Sequence, residues 1–427
     1  MKLFFALCFL ILFIPAAAVA DGSTVSASAD SSVFADRRKE QFESSFAYAI
    51  FPLPYVLPGI GRGLALGGGA MNISNTYTDA YGVVYGGDVE GAAVGLSDIH
   101  LIPRTLILDV GVGAVSKASI QNYIERGMNS DKNNYLLIEV NNSEYFGGRL
   151  TGTFIERRFE LYGAWYGSAS KLSRILDKDG NVIVEAQDAS RHRSHTTLVG
   201  ARVDLTDDYD DPRSGARFDI SRSATPPNGS GPDFAVMDYN LTVYLPFGKR
   251  NTWAFNYLRS DAVVFSKGET DPLKIQTEQG INCMDPLLTP QQQQYCNDEV
   301  NIMVANNTYG TATSLGGFSR LRSYSQGRYR GAHTQFYGTE FRRNLTDEST
   351  PFDIFFVRDI RTSLQVAAFY EIGSTADQFT NVGKTWRESY GLGFRMVMAS
   401  GAVFRADIAN GRDGFAPAIF FGYPWEI

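Results

Sequence analysis

Residue types that catalyse reactions or bind metals are sparse in this sequence of 427 residues. There are four histidines and three cysteines, and no group of them has the spacing of a zinc site. The pattern Gly-x-Ser-x-Gly is absent, and the run Gly67-Gly68-Gly69 lacks the Lys-Ser/Thr that completes a phosphate-binding loop. The sequence therefore predicts no catalytic residue, no metal site and no cofactor, and we interpret the chain as not being an enzyme.

The first twenty residues have the pattern of a secretory signal peptide. Lys2 precedes an apolar segment, residues 3–14, and Ala18-Val19-Ala20 offers a small-x-small cleavage site. The alternative is an N-terminal membrane anchor. We predict a signal peptide over residues 1–20, followed over residues 21–50 by a short polar leader or short amphipathic helix that is not a domain of its own.

Cys283 and Cys296 are the two cysteines outside the predicted signal peptide, and both lie in a polar stretch. An even number of cysteines in an exported chain favours a disulfide. Two free thiols or metal ligands are the alternative. We predict a disulfide between Cys283 and Cys296 that closes a small loop.

The charge balance argues against a nucleic-acid partner. The chain has 39 Lys and Arg against 46 Asp and Glu, a formal net charge of −7. Binding of phosphate backbones needs clustered positive charge, which an acidic chain does not supply. Charged residues make up 20% of the sequence, below the roughly 25% of soluble domains.

From about residue 51 onward the sequence alternates between apolar and polar residues, as Met237, Tyr239 and Leu241 do with Asp238 and Asn240. Alternation over about ten residues, with short turns at one end and long loops at the other, is typical of a transmembrane β-barrel. A soluble sandwich shares the alternation but not the strand length. We predict an all-β fold, a transmembrane antiparallel β-barrel over residues 51–427.

The number of strands follows from the same pattern. It gives fourteen candidate strands, the first over residues 61–74 and the last over residues 414–425. A hairpin missed within residues 119–143 would give sixteen, which is the number we predict. A long loop is expected at about residues 268–330.

The end of this long loop and the segment after it carry the most specific motif. It contains Arg322 and Tyr324, with Ser323 between them, and its supporting residues are Gly316, Gly317, Phe318 and Gly327. The motif resembles the sixth extracellular loop of the BamA/TamA-type outer-membrane assembly family (bacterial surface antigens). There a Gly-rich stretch precedes Arg-Gly-Phe/Tyr, and the Arg folds into the barrel lumen. In this sequence Ser323 stands where the family has Gly.

Other segments resemble the same family in the same order, so that the resemblance covers roughly residues 50–427. They are the acidic turn at residues 207–215, the strand segment at residues 338–342 and the segment at residues 369–373, where Glu371 stands in place of a family Asp. The resemblance implies that Arg322 pairs with Glu371 inside the lumen. The alternative is a solvated Arg322 in an exposed loop.

The family's barrel has a weak seam between its first and last strands. The Gly-dense segment Gly67-Gly68-Gly69 and Pro417, in the last candidate strand, suit such a seam, because Gly weakens a strand and Pro cannot donate a ladder hydrogen bond. The alternative is close packing by Gly and a tolerated Pro in a fixed barrel.

The resemblance implies a barrel in the bacterial outer membrane that acts in the insertion or translocation of proteins or lipids. The expected partners are outer-membrane lipid, client polypeptides or a separate periplasmic protein. Residues 21–50 leave no room for the periplasmic repeat domains usual in the family. A passive pore or a structural surface antigen is the alternative function, and an outer-membrane hydrolase is a further one.

Overall fold

The structure is a computed structural model that describes residues 35–42, 46–186, 189–227, 231–346, 351–354, 357–398 and 403–425. The predicted signal peptide and most of the predicted leader lie outside these residues. No helix in the described part of the chain is long and apolar enough to cross a membrane.

The described chain forms a closed antiparallel barrel of sixteen strands, which confirms the predicted fold class and strand number. Two further short strands lie outside the ring. The strands are β1 (Ala47–Leu57), β2 (Gly61–Met71), β3 (Asp79–Gly87), β4 (Glu90–Ile102), β5 (Leu106–Tyr123), β6 (Tyr135–Phe154), β7 (Phe159–Leu176), β8 (Val182–Glu185), β9 (His192–Asp204), β10 (Gly215–Thr225), β11 (Asp233–Phe247), β12 (Asn251–Ser266), β13 (His333–Asn344), β14 (Pro351–Ile354), β15 (Val357–Ala376), β16 (Arg387–Met398), β17 (Val403–Gly411) and β18 (Gly414–Phe421). The two outside the ring are β8 and β14, which pair with β7 and β15, since β7 also pairs with β9 and β13 with β15.

The two strands that bring the number from fourteen to sixteen are not where the sequence pattern suggested. The alternation predicts a single strand over residues 80–97, but this segment contains most of the hairpin of β3 and β4. The strand β1 precedes residues 61–74, the first strand that the pattern predicts. The suggested hairpin within residues 119–143 is wrong, because β5 and β6 simply extend to Tyr123 and from Tyr135. The strand β1 is not recognisable from the sequence pattern because it contains Pro52 and Pro54, and proline is unfavourable inside a paired strand.

The alternation predicted for β11 separates the outside of the barrel from its lumen. Tyr239 and Leu241 are exposed on the exterior, whereas Asp238, Asn240 and Thr242 are buried in the interior. Large apolar side chains are exposed on the exterior of many other strands, such as Leu64, Val84, Val112, Leu161, Leu392 and Ile408. An apolar outer surface and a polar interior are what a barrel in lipid requires.

The two ends of the barrel differ in their connections. The end that we call the turn end carries short connections such as residues 103–105 and 248–250, whereas the loop end carries residues 124–134, 177–191 and 267–332. Residues 35–42 of the predicted leader lie at the turn end and form no helix there. Within that segment, the Arg38 amide donates a 2.6 Å hydrogen bond to the carbonyl of Asp207.

The long connection between β12 and β13 contains two helices, α1 (Pro272–Gln279) and α2 (Pro290–Tyr309). Thr289 caps α2 through its side chain. A disulfide joins Cys283 to Cys296, which is the pair predicted from the sequence. The helices pack through a buried apolar cluster on the loop-end halves of β6 and β7, and this cluster includes Leu136, Ile175, Ile275, Cys283, Cys296 and Val300.

Candidate functional site: the lumen cluster and the strand seam

The motif segment, residues 315–331, leaves the loop helices and enters the barrel lumen. Leu315 and Tyr329 pair as a β-bridge that holds the two arms of the segment together, with N–O distances of 2.9 and 3.0 Å. Between these arms Gly316 and Gly317 have φ values of 104° and 108°. A Cβ on Gly316 would lie 2.2 Å from the carbonyl oxygen of Ser325, so this fold of the loop requires Gly there.

Arg322 is fully buried at the tip of the segment and contacts three carboxylates. Its Nε lies 2.9 Å from Glu371, Nη1 lies 2.9 Å from Asp407, and Nη2 lies 3.1 Å from Glu340. The amide of Arg322 also donates to Glu371, at 2.9 Å. The structure thus places Arg322 beside Glu371 in the lumen and adds two acidic partners that the sequence analysis did not identify.

The same carboxylates bind further arginines. Glu340 accepts hydrogen bonds from Arg342, at 2.7 Å, and from Arg395, and Arg405 lies 3.4 Å from Asp407. Paired charges are the form in which a barrel interior can hold buried ionised groups. We call this set the lumen cluster, and its members are Arg322, Glu340, Arg342, Glu371, Arg395, Arg405 and Asp407, each at most 2% exposed.

The neighbours of Arg322 in the motif fix the segment to the wall of the barrel. The hydroxyl of Tyr324 donates to the carbonyl of Glu388 at 3.0 Å, and the rings of Phe318 and Phe420 stack with centroids 4.0 Å apart. Gly327 has a φ of 65°. Ser323 is not among the residues with positive φ, so the Ser at this position does not strain the backbone.

A second segment, Gly422–Trp425, also turns into the lumen after β18 ends. The indole Nε1 of Trp425 donates to Glu371 at 2.9 Å, and the Trp425 carbonyl accepts hydrogen bonds from Asn240, at 2.9 Å, and Arg320, at 2.8 Å. The Tyr423 hydroxyl donates to Asp211 in the connection between β9 and β10, at 2.5 Å. Sequence reasoning missed this tail. The signal for it is the aromatic pair Tyr423 and Trp425, which the alternation places at the end of the last predicted strand.

The first and last strands, β1 and β18, are joined by very little pairing. Among the described residues, β1 and β18 share one register pair, Val56 with Ile419, whereas β1 and β2 pair along their whole length, from Ala47 to Leu57. Pro52 and Pro54 in β1 have no N–H to donate toward either neighbour. The tail after β18 enters the lumen instead of extending along β1.

The predicted seam residues need a correction. Gly67, Gly68 and Gly69 lie on β2 and are paired on both sides, with β1 and β3, so they are one strand away from the seam. The error follows from missing β1 in the sequence. Pro417 does lie on β18, and in the register with β17 it is opposite Ile408.

These features define a sixteen-stranded barrel whose lumen holds an inward-folded loop. No family model matches the sequence, and no curated protein matches it. Among solved structures, CdiB from Escherichia coli matches with 11% identity and a TM-score of 0.50, over 88% of this chain and 61% of that chain. The likeness confirms at the level of the fold the resemblance inferred from the sequence, and the chain spans less than two thirds of that CdiB.

Two other solved structures match with lower TM-scores. BamA from Haemophilus ducreyi lacking POTRA domains 1–3 has 12% identity and a TM-score of 0.48, over 88% of this chain and 68% of that chain. CdiB from Acinetobacter baumannii has 12% identity and a TM-score of 0.45, over 92% of this chain and 64% of that chain.

Proposed function

We propose that this protein is a barrel of the bacterial outer membrane that inserts or translocates polypeptides or lipids through the seam of β1 and β18. It reaches this membrane after its signal peptide is cleaved. The observation that carries the proposal is the single register pair, Val56 with Ile419, that joins these strands. On the same side β1 also pairs with β15 at two positions, Tyr48 with Arg358 and Ala49 with Val357, so this side has three register pairs against eleven with β2. Each antiparallel pair contributes ladder hydrogen bonds, so opening β1 on this side costs less than separating it from β2.

The lumen cluster favours a route for the client through the seam and not through the lumen, because the cluster obstructs the lumen. Arg322, Glu371 and Trp425 are at most 1% exposed and fill the barrel where the motif and the tail meet. A passive pore needs a water-filled passage at this level. The proposal involves no bond chemistry, and its partners are outer-membrane lipid and a client polypeptide. A separate periplasmic protein is a further partner, which would bind at the turn end.

The test is a reversible lock across the seam. A Val56→Cys/Ile419→Cys variant, with Cys283 and Cys296 replaced by Ser, is reconstituted in phospholipid vesicles and oxidised. The rate at which the vesicles take up and fold a urea-unfolded eight-stranded outer-membrane barrel is then measured. We expect the oxidised variant to lose the acceleration over empty vesicles and the reduced variant to regain it.

The matched control locks strands that the proposal leaves together. Leu53→Cys/Ala65→Cys joins register partners on β1 and β2 in the same background, and we expect it to keep full activity. Equal acceleration by the oxidised seam variant and the reduced one would overturn the route through the seam. A large and steady conductance of the purified barrel in planar bilayers would instead favour the passive pore.

A further inference from the structure

A cavity of about 290 Å³ lies at the loop end of the barrel, between α1, α2 and the inner faces of β5 to β7. Its lining is mainly apolar and includes Ile120, Ile138, Val140, Leu172, Ile302 and Met303. The interior of an outer-membrane barrel is ordinarily polar, so an apolar cavity here needs a reason. Packing of the loop helices accounts for the apolar cluster beside them, but a cavity is volume that this packing leaves unfilled.

Arg330 lines this cavity and is only partly satisfied. Its Nη1 donates to the side-chain oxygen of Asn122 at 2.6 Å, and its Nη2 donates to the carbonyl of Tyr123. Its Nε is buried without a hydrogen-bond partner, and the hydrogen bonds that Arg330 donates go to an amide and a carbonyl oxygen, not to a carboxylate. Glu299 and Asp377 act on its charge only from a distance. A buried guanidinium with no carboxylate hydrogen-bonded to it is costly, so this position favours an anion from outside the chain.

Asn122 links Arg330 to the carboxyl group of Glu299, because its side chain forms hydrogen bonds with both. Asn122 Nδ2 donates to both Glu299 oxygens, at 2.8 and 3.0 Å. Burial raises the pKa of Glu299 to about 7, against the lowering effects of Asn122 and Arg330. Glu299 is therefore partly protonated at neutral pH and leaves part of the Arg330 charge uncompensated.

Ser143 adds a second unpartnered group to the lining. Its Oγ is buried without a hydrogen-bond partner, at an irregularity in the register of β6 with β7. Ser143 pairs with Val115 on β5, seven residues along the strand from Asn122, so its hydroxyl lies well away from Arg330. The cavity thus combines apolar walls with one incompletely satisfied guanidinium at Arg330, which is the composition of a site for an amphiphilic small molecule.

We propose that this cavity binds a medium-chain carboxylate, with the carboxylate on Arg330 and the alkyl chain against the residues from β5, β6 and α2. At a liquid-like share of about 30 Å³ for each non-hydrogen atom, the volume accommodates at least about ten such atoms. Octanoate has about this size. The site lies in the loop end and is independent of the seam, so it extends the proposed function and does not rest on it.

Octanoate itself is the probe. Equilibrium dialysis of radiolabelled octanoate against the full barrel in lipid nanodiscs, at pH 7.5, is compared with empty nanodiscs. We expect saturable binding with a stoichiometry of one, above the linear partitioning into lipid. An uptake that equals that of empty nanodiscs at every concentration would overturn the proposal.

Two variants and one analogue locate the site. Met303→Trp fills the cavity from α2 and is expected to abolish saturable binding, whereas Leu287→Trp, at a position 90% exposed between the helices, is expected to preserve it. Arg330→Gln is expected to weaken octanoate binding about tenfold or more. Heat-modifiable migration on gels verifies that each variant is folded.

The analogue 1-octanol keeps the chain and removes the charge. We expect it to compete with octanoate at least about tenfold more weakly, since it cannot form the charged contact with Arg330. Equal competition by 1-octanol, or saturable octanoate binding that survives Met303→Trp, would overturn the assignment.

Discussion

Trp425 and Arg322 donate hydrogen bonds to the same oxygen atom, Oε1 of Glu371, each at 2.9 Å. One donor belongs to the loop motif and the other to the tail that follows β18, so a single carboxylate joins the two segments inside the lumen. The guanidinium carbon of Arg322 lies 5.9 Å from the centre of the Trp425 ring. Any movement that carries β18 far from the barrel wall must break this shared contact.

Replacing Trp425 by Phe should destabilise the barrel while keeping an aromatic ring in place. Glu371 loses one of its donors, and a hydrogen bond to a charged acceptor is worth about 1.5–3 kcal/mol. We expect the free energy of unfolding in urea to fall by about 2 kcal/mol. Trp165→Phe, on the lipid-facing exterior, is the control and should change it by less than about 0.5 kcal/mol. Equal effects of the two substitutions would contradict a role for the indole N–H.

Replacing Arg322 by Ala should release the motif segment from the lumen. The substitution leaves Glu371 and Asp407 buried with fewer donors, and loss of one partner from a buried ion pair costs about 3–5 kcal/mol. We expect trypsin to cut the variant in intact nanodiscs within residues 315–331, where Arg320, Arg328 and Arg330 are buried in the original chain. Lys178→Ala, which removes an exposed cation, serves as the comparison. An unaltered digestion pattern for Arg322→Ala would contradict the anchoring role of the pairing.

Gly316→Ala should damage the motif more than a similar substitution in an open loop. Gly316 and Gly180 both have positive φ, which costs a residue with a Cβ about 1–2 kcal/mol. A Cβ at Gly316 also meets a carbonyl oxygen at 2.2 Å, whereas nothing lies within 4 Å of one at Gly180. We expect Gly316→Ala to lower the free energy of unfolding by clearly more than Gly180→Ala does. Equal losses would show that the loop can relax around the added methyl group.

The docking of α2 should weaken as the pH rises toward 7, because of Glu299. Burial raises the pKa of this carboxyl to about 7, so between about pH 4.5 and 7 the folded chain binds more protons than the unfolded chain. The contribution of Glu299 to stability is therefore greatest below about pH 4.5 and falls as the pH approaches 7, by up to about 3 kcal/mol. Amide protection factors of α2, corrected for the intrinsic exchange rate, should fall over this range.

Glu299→Gln should remove most of this pH dependence, since an amide does not titrate. The variant should keep its α2 protection at pH 8, with Gln accepting one of the hydrogen bonds from Asn122. A decline of protection with pH that is as steep in Glu299→Gln as in the original chain would assign the effect to another group.

The class of fold could be predicted from the sequence, because the barrel has to repeat one local pattern many times. The alternation around Met237 to Leu245 assigns one parity to lipid and the other to the lumen, and that rule holds for any arrangement of the strands. The motif around Arg322 and the pairing of Cys283 with Cys296 were also accessible, since each depends on a short stretch of sequence.

The partners of Arg322 beyond Glu371 were decided only by the tertiary structure. Glu340, Glu371 and Asp407 lie on β13, β15 and β17, and the last is 85 residues from Arg322. The alternation along each strand places each of these residues in the lumen. The strand register of the closed barrel then sets them at the same height along the barrel axis. The strand β1 was missed for a related reason. Pro52 and Pro54 are unfavourable inside a paired strand, and only the closed barrel shows that β1 pairs with β2 along its whole length and with β15 and β18 at three positions on its other side. Local sequence therefore determined which side each residue faces, while strand register and closure determined which residues meet.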